Sequence, residues 1–195
     1  HAVLTSGSST LEKAHLAEIQ AKLPRPVQNS PAGSVIDLSG KMDLLTLAAM
    51  IYAVGDISGA HLKPAFTLGF LAARCFERRL VLPYIASQTL GALAASLLLR
   101  GLFPAHPTLG ATLPAGSAAQ SFVLELVLST MLMFVILSVS SGSKERGVTA
   151  GIVVGSVIGM EALFAGPICG ASMNPARSLA PALVSLHLTH LWVYL

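Results

Sequence analysis

Apolar residues along this chain gather in long uninterrupted runs instead of alternating or recurring every third or fourth position. A bilayer-spanning helix needs about 20 mostly apolar residues. Leu80 to Leu99 meets that requirement, uncharged and bracketed by Arg79 and Arg100. Ala118 to Ser140 is a second span with one charge, Glu125, and Val148 to Phe164 a third, with Glu161 near its end. Leu44 to Gly55 is apolar over only about half a span. Leu191-Trp192-Val193-Tyr194-Leu195 reads as the opening of a further span, with Trp and Tyr at the interface. The pattern before residue 40 differs: Leu11 to Leu23 has amphipathic helical spacing, and Pro24, Pro26 and Pro31 then break it. Residues 1–40 are read as a polar leader, not a transmembrane span.

Composition agrees. Of 195 residues, 53% are hydrophobic and 11% charged, where a soluble domain carries roughly 25% charged. The mean hydropathy is +0.72. The net charge of +3 is not gathered into one patch, which argues against a nucleic-acid partner. Two cysteines, Cys75 and Cys169, form no metal or redox spacing. Charge does fix an orientation. Arg74, Arg78 and Arg79 lie in one connection and Lys144 and Arg146 in another, whereas Gly101 to Ser117 has neither Lys nor Arg and Ala165 to His190 only Arg177. Basic connections stay cytoplasmic, so the first two face inward and the others outward, with Cys75 and Cys169 on opposite sides.

The informative feature is a repeat. Gly59-Ala60-His61-Leu62-Lys63-Pro64-Ala65-Phe66-Thr67-Leu68 recurs as Gly170-Ala171-Ser172-Met173-Asn174-Pro175-Ala176-Arg177-Ser178-Leu179, an offset of 111 residues. The assigned topology makes the copies enter from opposite faces, the mark of an inverted repeat. Each is too short to span. Asn is a favoured helix cap and Pro a favoured first residue, so half-helices are expected near 64–74 and 175–185. Irregular backbone at membrane depth is tolerated where it is buried or lines a polar path. The domain reading is therefore a first-half repeat over 41–110 and a second-half repeat over 111–195.

With these residues the chain resembles the aquaporin, or major intrinsic protein, family. Through Ile51-Tyr52-Ala53-Val54-Gly55 and Phe164-Ala165-Gly166-Pro167 it is most similar to the nodulin-like and bacterial aquaglyceroporin-type members. The resemblance implies an all-α, inverted-repeat bundle whose two half-helices meet at mid-membrane. Against the family pattern the first span is absent or replaced and the sixth is truncated. It implies a channel for passive passage of water, or of small neutral solutes such as glycerol, urea and metalloid acids. It implies no enzyme activity, cofactor or metal. It further implies a homotetramer in the plasma membrane or bacterial inner membrane.

Carried over residue by residue, the pore motifs are Lys63, Pro64 and Ala65, and Asn174, Pro175 and Ala176. Arg177, Ala171 and Ala162 correspond to the selectivity filter, with Phe66 in the place symmetric to Arg177 and Asp43 at the remaining filter spacing. Glu125, with Thr130 on the same helix, corresponds to a structural buried acid. Glu161 is expected to reach polar loop atoms, and His61 to pack beside the motif. His187 and His190 are expected at the interface. Gly91, Ala94, Ala95, Gly151, Gly155 and Gly159 are read as close helix packing. Small residues at 162 and 171 leave a wide mouth, which favours glycerol-sized solutes.

One departure matters most: the first motif carries Lys63 where relatives have asparagine. Lys cannot accept a capping bond, and its ammonium opposes the positive end of the helix dipole. Three fates are open: charged in the path, neutral through burial, or carried to the cytoplasmic vestibule on its long stem. Each predicts slow or absent conduction with ions excluded. Two other readings remain: a non-conducting truncated homologue, and an intramembrane enzyme using Ser172 and His187.

Overall fold

Helices account for nearly all regular structure, as the apolar runs require. The computed structural model describes residues 39–140 and 144–195, with side chains for 45–140 and 149–195. The polar leader, its Leu11–Leu23 segment and the side chain of Asp43 lie outside the described residues.

Among the described residues the elements are α1 (Ser39–Ser58), α2 (Pro64–Ala72), α3 (Arg78–Leu102), α4 (Ala118–Ser140), α5 (Lys144–Cys169), α6 (Pro175–Ser185) and a 3-10 turn (Leu191–Tyr194). Three helical segments are long and apolar enough to cross a membrane: Arg78–Leu102, Ala118–Ser140 and Thr149–Cys169, with mean hydropathies of 1.4, 2.4 and 1.9. The chain folds as an all-α membrane protein.

Two helices run further than their apolar stretches. α1 covers 20 residues, about 30 Å at 1.5 Å per residue, although the continuous apolar run in the sequence begins only at Leu44. Backbone hydrogen bonding propagates through the polar Ser39-Gly40-Lys41 start, which an apolar count does not register. α5 continues past Phe164 and through Pro167 to Cys169. It stops at Gly170, whose φ of 86° suits glycine, while the Gly170 N–H still donates to the Gly166 carbonyl at 2.9 Å.

α1 packs along α5, α5 along α4, and α3 along α6, while the short α2 lies against α3, α4 and α6. The buried core joins Phe66 of α2, Leu128 and Leu132 of α4, and Val154, Ile158 and Ala165 of α5. Small residues work at some contacts only. A Cβ on Gly151 would come within 2.6 Å of the Tyr52 ring, so α1 and α5 need glycine there. Gly91 meets open space, and Ala94 and Ala95 are exposed; these three small residues of α3 do not serve helix packing within the chain.

The polarity pattern is inverted relative to a soluble domain. Leu82 is 76% exposed and Phe134 71%, while Lys63, Thr67, Ser121, Glu125, Glu161, Ser172 and Ser178 are buried. Apolar side chains face out, where lipid satisfies them, and polar groups gather inside.

Candidate functional site

The two copies of the repeat open on the same left-handed pair and end on an extended residue before a proline, although Met173 (φ 47°) is left-handed and its counterpart Leu62 is not. Gly59 and Ala60 have φ of 66° and 50°, and their counterparts Gly170 and Ala171 have 86° and 41°. The left-handed pair turns the chain sharply into an extended residue, Lys63 (φ −139°) or Asn174 (φ −154°), which then starts a helix on Pro64 or Pro175. Proline suits that first position because it lacks only an N–H that no helical carbonyl would bond. The resulting helices, Pro64–Ala72 and Pro175–Ser185, have 9 and 11 residues. Each is too short to span a bilayer, and they approach one another.

At the second copy, Asn174 caps its helix: its side-chain oxygen accepts from the Arg177 N–H at 3.2 Å. Before it, the buried Glu125 carboxylate accepts the backbone N–H of Ser172 and of Met173, each at 2.8 Å. The acid thus holds two consecutive N–H groups of the segment leading to Asn174, one on each oxygen. Thr130, one turn further along α4, plays no part: it is exposed and donates to the Leu126 carbonyl at 2.7 Å.

Arg177 is exposed on the first turn of α6. Its guanidinium donates to the Gly110 carbonyl at 3.1 Å and to Thr112 Oγ1 at 2.6 Å. Thr112 in turn meets Ser178 at 2.9 Å, Ser178 meets Ser172 at 2.5 Å, and Ser172 donates to the Asn174 carbonyl at 3.0 Å. A hydroxyl chain therefore connects Arg177 to the cap residue through buried Ser and Thr. A Cβ on Gly170 would strike the Thr112 methyl, which explains the glycine. Ser172 and Ser178 lie in the repeat; nothing in the local sequence around Thr112 marks it as their partner.

At the first copy Lys63 makes no capping bond with its side chain. It is 7% exposed, and Nζ lies 5.2 Å from the centre of the Phe66 ring. The stem has not carried the charge out to solvent; the ammonium is turned back onto an aromatic face, where a cation is attracted. Phe66 itself is buried in the core at 5% exposure, so it does not mirror the exposed Arg177. Other groups brace this copy. Gln88 of α3 donates to the His61 carbonyl and, at 3.0 Å, to Thr67. The His61 ring stacks on Phe70 with centres 4.6 Å apart and also meets Phe76 and Tyr84.

Pro64 and Ala176 are buried; Ala65, Pro175, Ala171 and Ala162 are half-buried. Ala171 belongs to the turn before Asn174, whereas Ala162 lies on α5. Next to it Glu161 departs from expectation. It is 0% exposed, and among the described residues neither carboxylate oxygen has a hydrogen-bond partner. It does not reach the loops, because it falls on the same face of α5 as Ile158 and Ala165, which is the core face. Near the end of the chain, Trp192 is 56% exposed and lies against Phe122, while Tyr194 is buried and donates to the Cys169 carbonyl at 2.8 Å. Only the first behaves as an interfacial aromatic.

Comparison with known proteins converges on one family. The Major intrinsic protein family model matches residues 30–195. The chain is 52% identical over 148 residues to Aquaporin NIP1-4 of Oryza sativa subsp. japonica, covering 75% of this chain and 54% of that protein. It is 42% identical over 152 residues to Nodulin-26 of Glycine max, covering 77% and 56%. The fold matches the X-ray structure of the aquaglyceroporin from Plasmodium falciparum with a TM-score of 0.70 at 22% identity, covering 85% of this chain and 78% of that one. The chain spans about half the length of the curated relatives it matches.

Proposed function

Since the chain belongs to the major intrinsic protein family and is an integral membrane protein, we propose that it contributes a passive transmembrane path for water and small neutral solutes, running past Lys63 and Asn174. The carrying observation is the pair of proline-started half-helices, Pro64–Ala72 and Pro175–Ser185, that follow matching left-handed turns and approach one another.

The mechanism follows from that geometry. The N-terminal ends of both half-helices carry partial positive charge. A passing water turns its oxygen toward them, which interrupts the hydrogen-bonded wire a proton would need and repels cations. Asn174 uses its side-chain oxygen as the cap, which leaves its amide N–H groups to donate to that water. The non-helical backbone from Gly170 to Met173, held by Glu125, offers carbonyls as successive acceptors. Arg177, fixed by Gly110 and Thr112, serves as the charged member of an outer filter, with Ala171 and Ala162 as its small members. Their size admits glycerol, urea and undissociated metalloid acids.

Catalysis is not part of this reading. Ser172 bonds Ser178 and the Asn174 carbonyl, and His187 sits 2.9 Å from the Ser185 carbonyl, so the pair an intramembrane hydrolase would need is engaged separately. The exposed apolar helix faces suit lipid and neighbouring protomers, and the assembly we propose is a homotetramer in a plasma or bacterial inner membrane. Cross-linking in membranes is expected to stop at four protomers; monomers alone would overturn that assembly.

Vesicles reconstituted with the full chain test the function. Swelling in a glycerol gradient above that of empty vesicles, with no ion leak, is the expected result. Ion conductance, or permeability equal to empty vesicles for every solute even after Lys63→Asn, would overturn the reading.

A further inference from the structure

The connection between α3 and α4 holds Arg177 through the Gly110 carbonyl, and it does so in a conformation its own residues disfavour. Thr108-Leu109-Gly110-Ala111 is a tight turn, closed by the Ala111 N–H on the Thr108 carbonyl at 2.9 Å. Both central residues are left-handed, Leu109 with φ 52° and Gly110 with φ 76°. Turns of that class favour asparagine, aspartate or glycine at the first central position. A leucine there crowds its Cβ against a carbonyl oxygen, so the turn needs a hold from outside its four residues.

His106 supplies that hold. Its ring Nδ1 accepts the Leu109 N–H at 3.0 Å. A backbone N–H can only donate, so Nδ1 carries a lone pair here. His106 is itself fastened. Its N–H donates to the Phe103 carbonyl at 3.0 Å. The Arg100 guanidinium of α3 donates to the His106 carbonyl at 3.0 Å and the Pro104 carbonyl at 3.1 Å, and reaches the Val184 carbonyl of α6 at 3.5 Å. The connection is thus tied to both ends of α6, by Arg100 near its last turn and by Arg177 on its first. Packing leaves the turn room to move: a cavity of about 310 Å³ lies against Leu99, Phe103, His106, Leu109 and Gly110. Loss of the ring acceptor therefore frees the turn.

We propose that His106, fastened by Arg100, is a positioning residue of the outer filter: it pins the Leu109–Gly110 turn, and the pinned turn presents the Gly110 carbonyl that sets the Arg177 guanidinium. The pinning stands on the hydrogen bonds above; the filter role rests on the channel reading. Gly110 and Thr112 bond the same guanidinium nitrogen, Nη1. With only one of them in place the group pivots about that contact. The side chain then swings into a mouth whose other members, Ala162 and Ala171, are small, and it obstructs the larger solutes first.

Hydrogen exchange at the Leu109 amide, measured on the full chain in detergent, tests the pinning without conduction. His106→Phe keeps a ring and removes the acceptor; it should speed that exchange by about five- to tenfold, the loss of one hydrogen bond. His106→Asn returns a side-chain acceptor for an N–H three residues on and should restore most of the protection. Unchanged exchange in His106→Phe, or no rescue by His106→Asn, overturns the pinning. Vesicle swelling reads the filter, in the Lys63→Asn background so that the first-motif lysine does not mask the mouth. There His106→Phe should lower the glycerol-to-water permeability ratio severalfold, and His106→Asn should restore it. With Arg177→Ala also present, His106→Phe should leave the ratio unmoved, because the two residues act through one contact chain. A ratio unmoved with Arg177 present, or an equal drop with and without it, overturns the filter role. If exchange responds as expected while every variant matches empty vesicles, the channel reading fails and the pinning stands.

Discussion

At the second motif an asparagine caps its half-helix and a buried carboxylate grips the two residues before it. At the first, a lysine stands at the cap position without capping, and the bracing comes from Gln88 and an aromatic cluster around His61. Both copies nevertheless open on a left-handed Gly-Ala pair and start their helix on proline. The motif's shape is therefore specified by glycine, by proline at the first helical position and by tertiary bracing. The residue between turn and proline is free to change the chemistry without changing the fold.

That contrast can be broken most forcefully at Glu125. Glu125→Ala strands two buried N–H groups, at roughly 1–3 kcal/mol each, so a loss of about 4 kcal/mol is expected in unfolding experiments in detergent. Glu125→Gln keeps an acceptor and should lose less. Equal stability of Glu125→Ala and the parent would show that the second strand needs no grip. The caps come next. Asn174→Ala should cost about 0.5–2 kcal/mol, whereas Lys63→Ala has no capping bond to lose. A cap-sized loss at both positions would erase the asymmetry between the motifs. Thr112→Val removes the link between Arg177 and Ser178 and should cost about 1 kcal/mol, together with a weaker preference for neutral solutes in flux assays. The gentlest change is Ala162→His, which narrows the outer mouth and should suppress glycerol flux more than water flux; equal suppression would remove Ala162 from the filter.

Both half-helices are legible in the sequence, because their signals are local: a glycine for the left-handed turn, then proline one residue past the cap. The spans are legible as apolar runs, but not their ends, since α1 continues through polar Ser39 to Lys41 and α5 through Pro167. Groups joined only by the fold are invisible. Thr112 and Ser178 lie 66 positions apart, and Tyr194 reaches back 25 to Cys169; no spacing rule connects them. Glu161 is a different case. Its place on the Ile158 and Ala165 face is readable from helical periodicity, yet a carboxylate near the end of an apolar run invites the assumption that it reaches water. Matching Phe66 to Arg177 by repeat position misplaces it, because its apolar ring prefers the core to an aqueous mouth.

Obstruction of a neutral-solute path by Lys63 is open to direct measurement. Stopped-flow swelling compares vesicles carrying the parent with vesicles carrying Lys63→Asn at equal protein density. Water permeability severalfold higher in the variant, with ions still excluded, is the expected result; equal permeability in the two, both above empty vesicles, would contradict it.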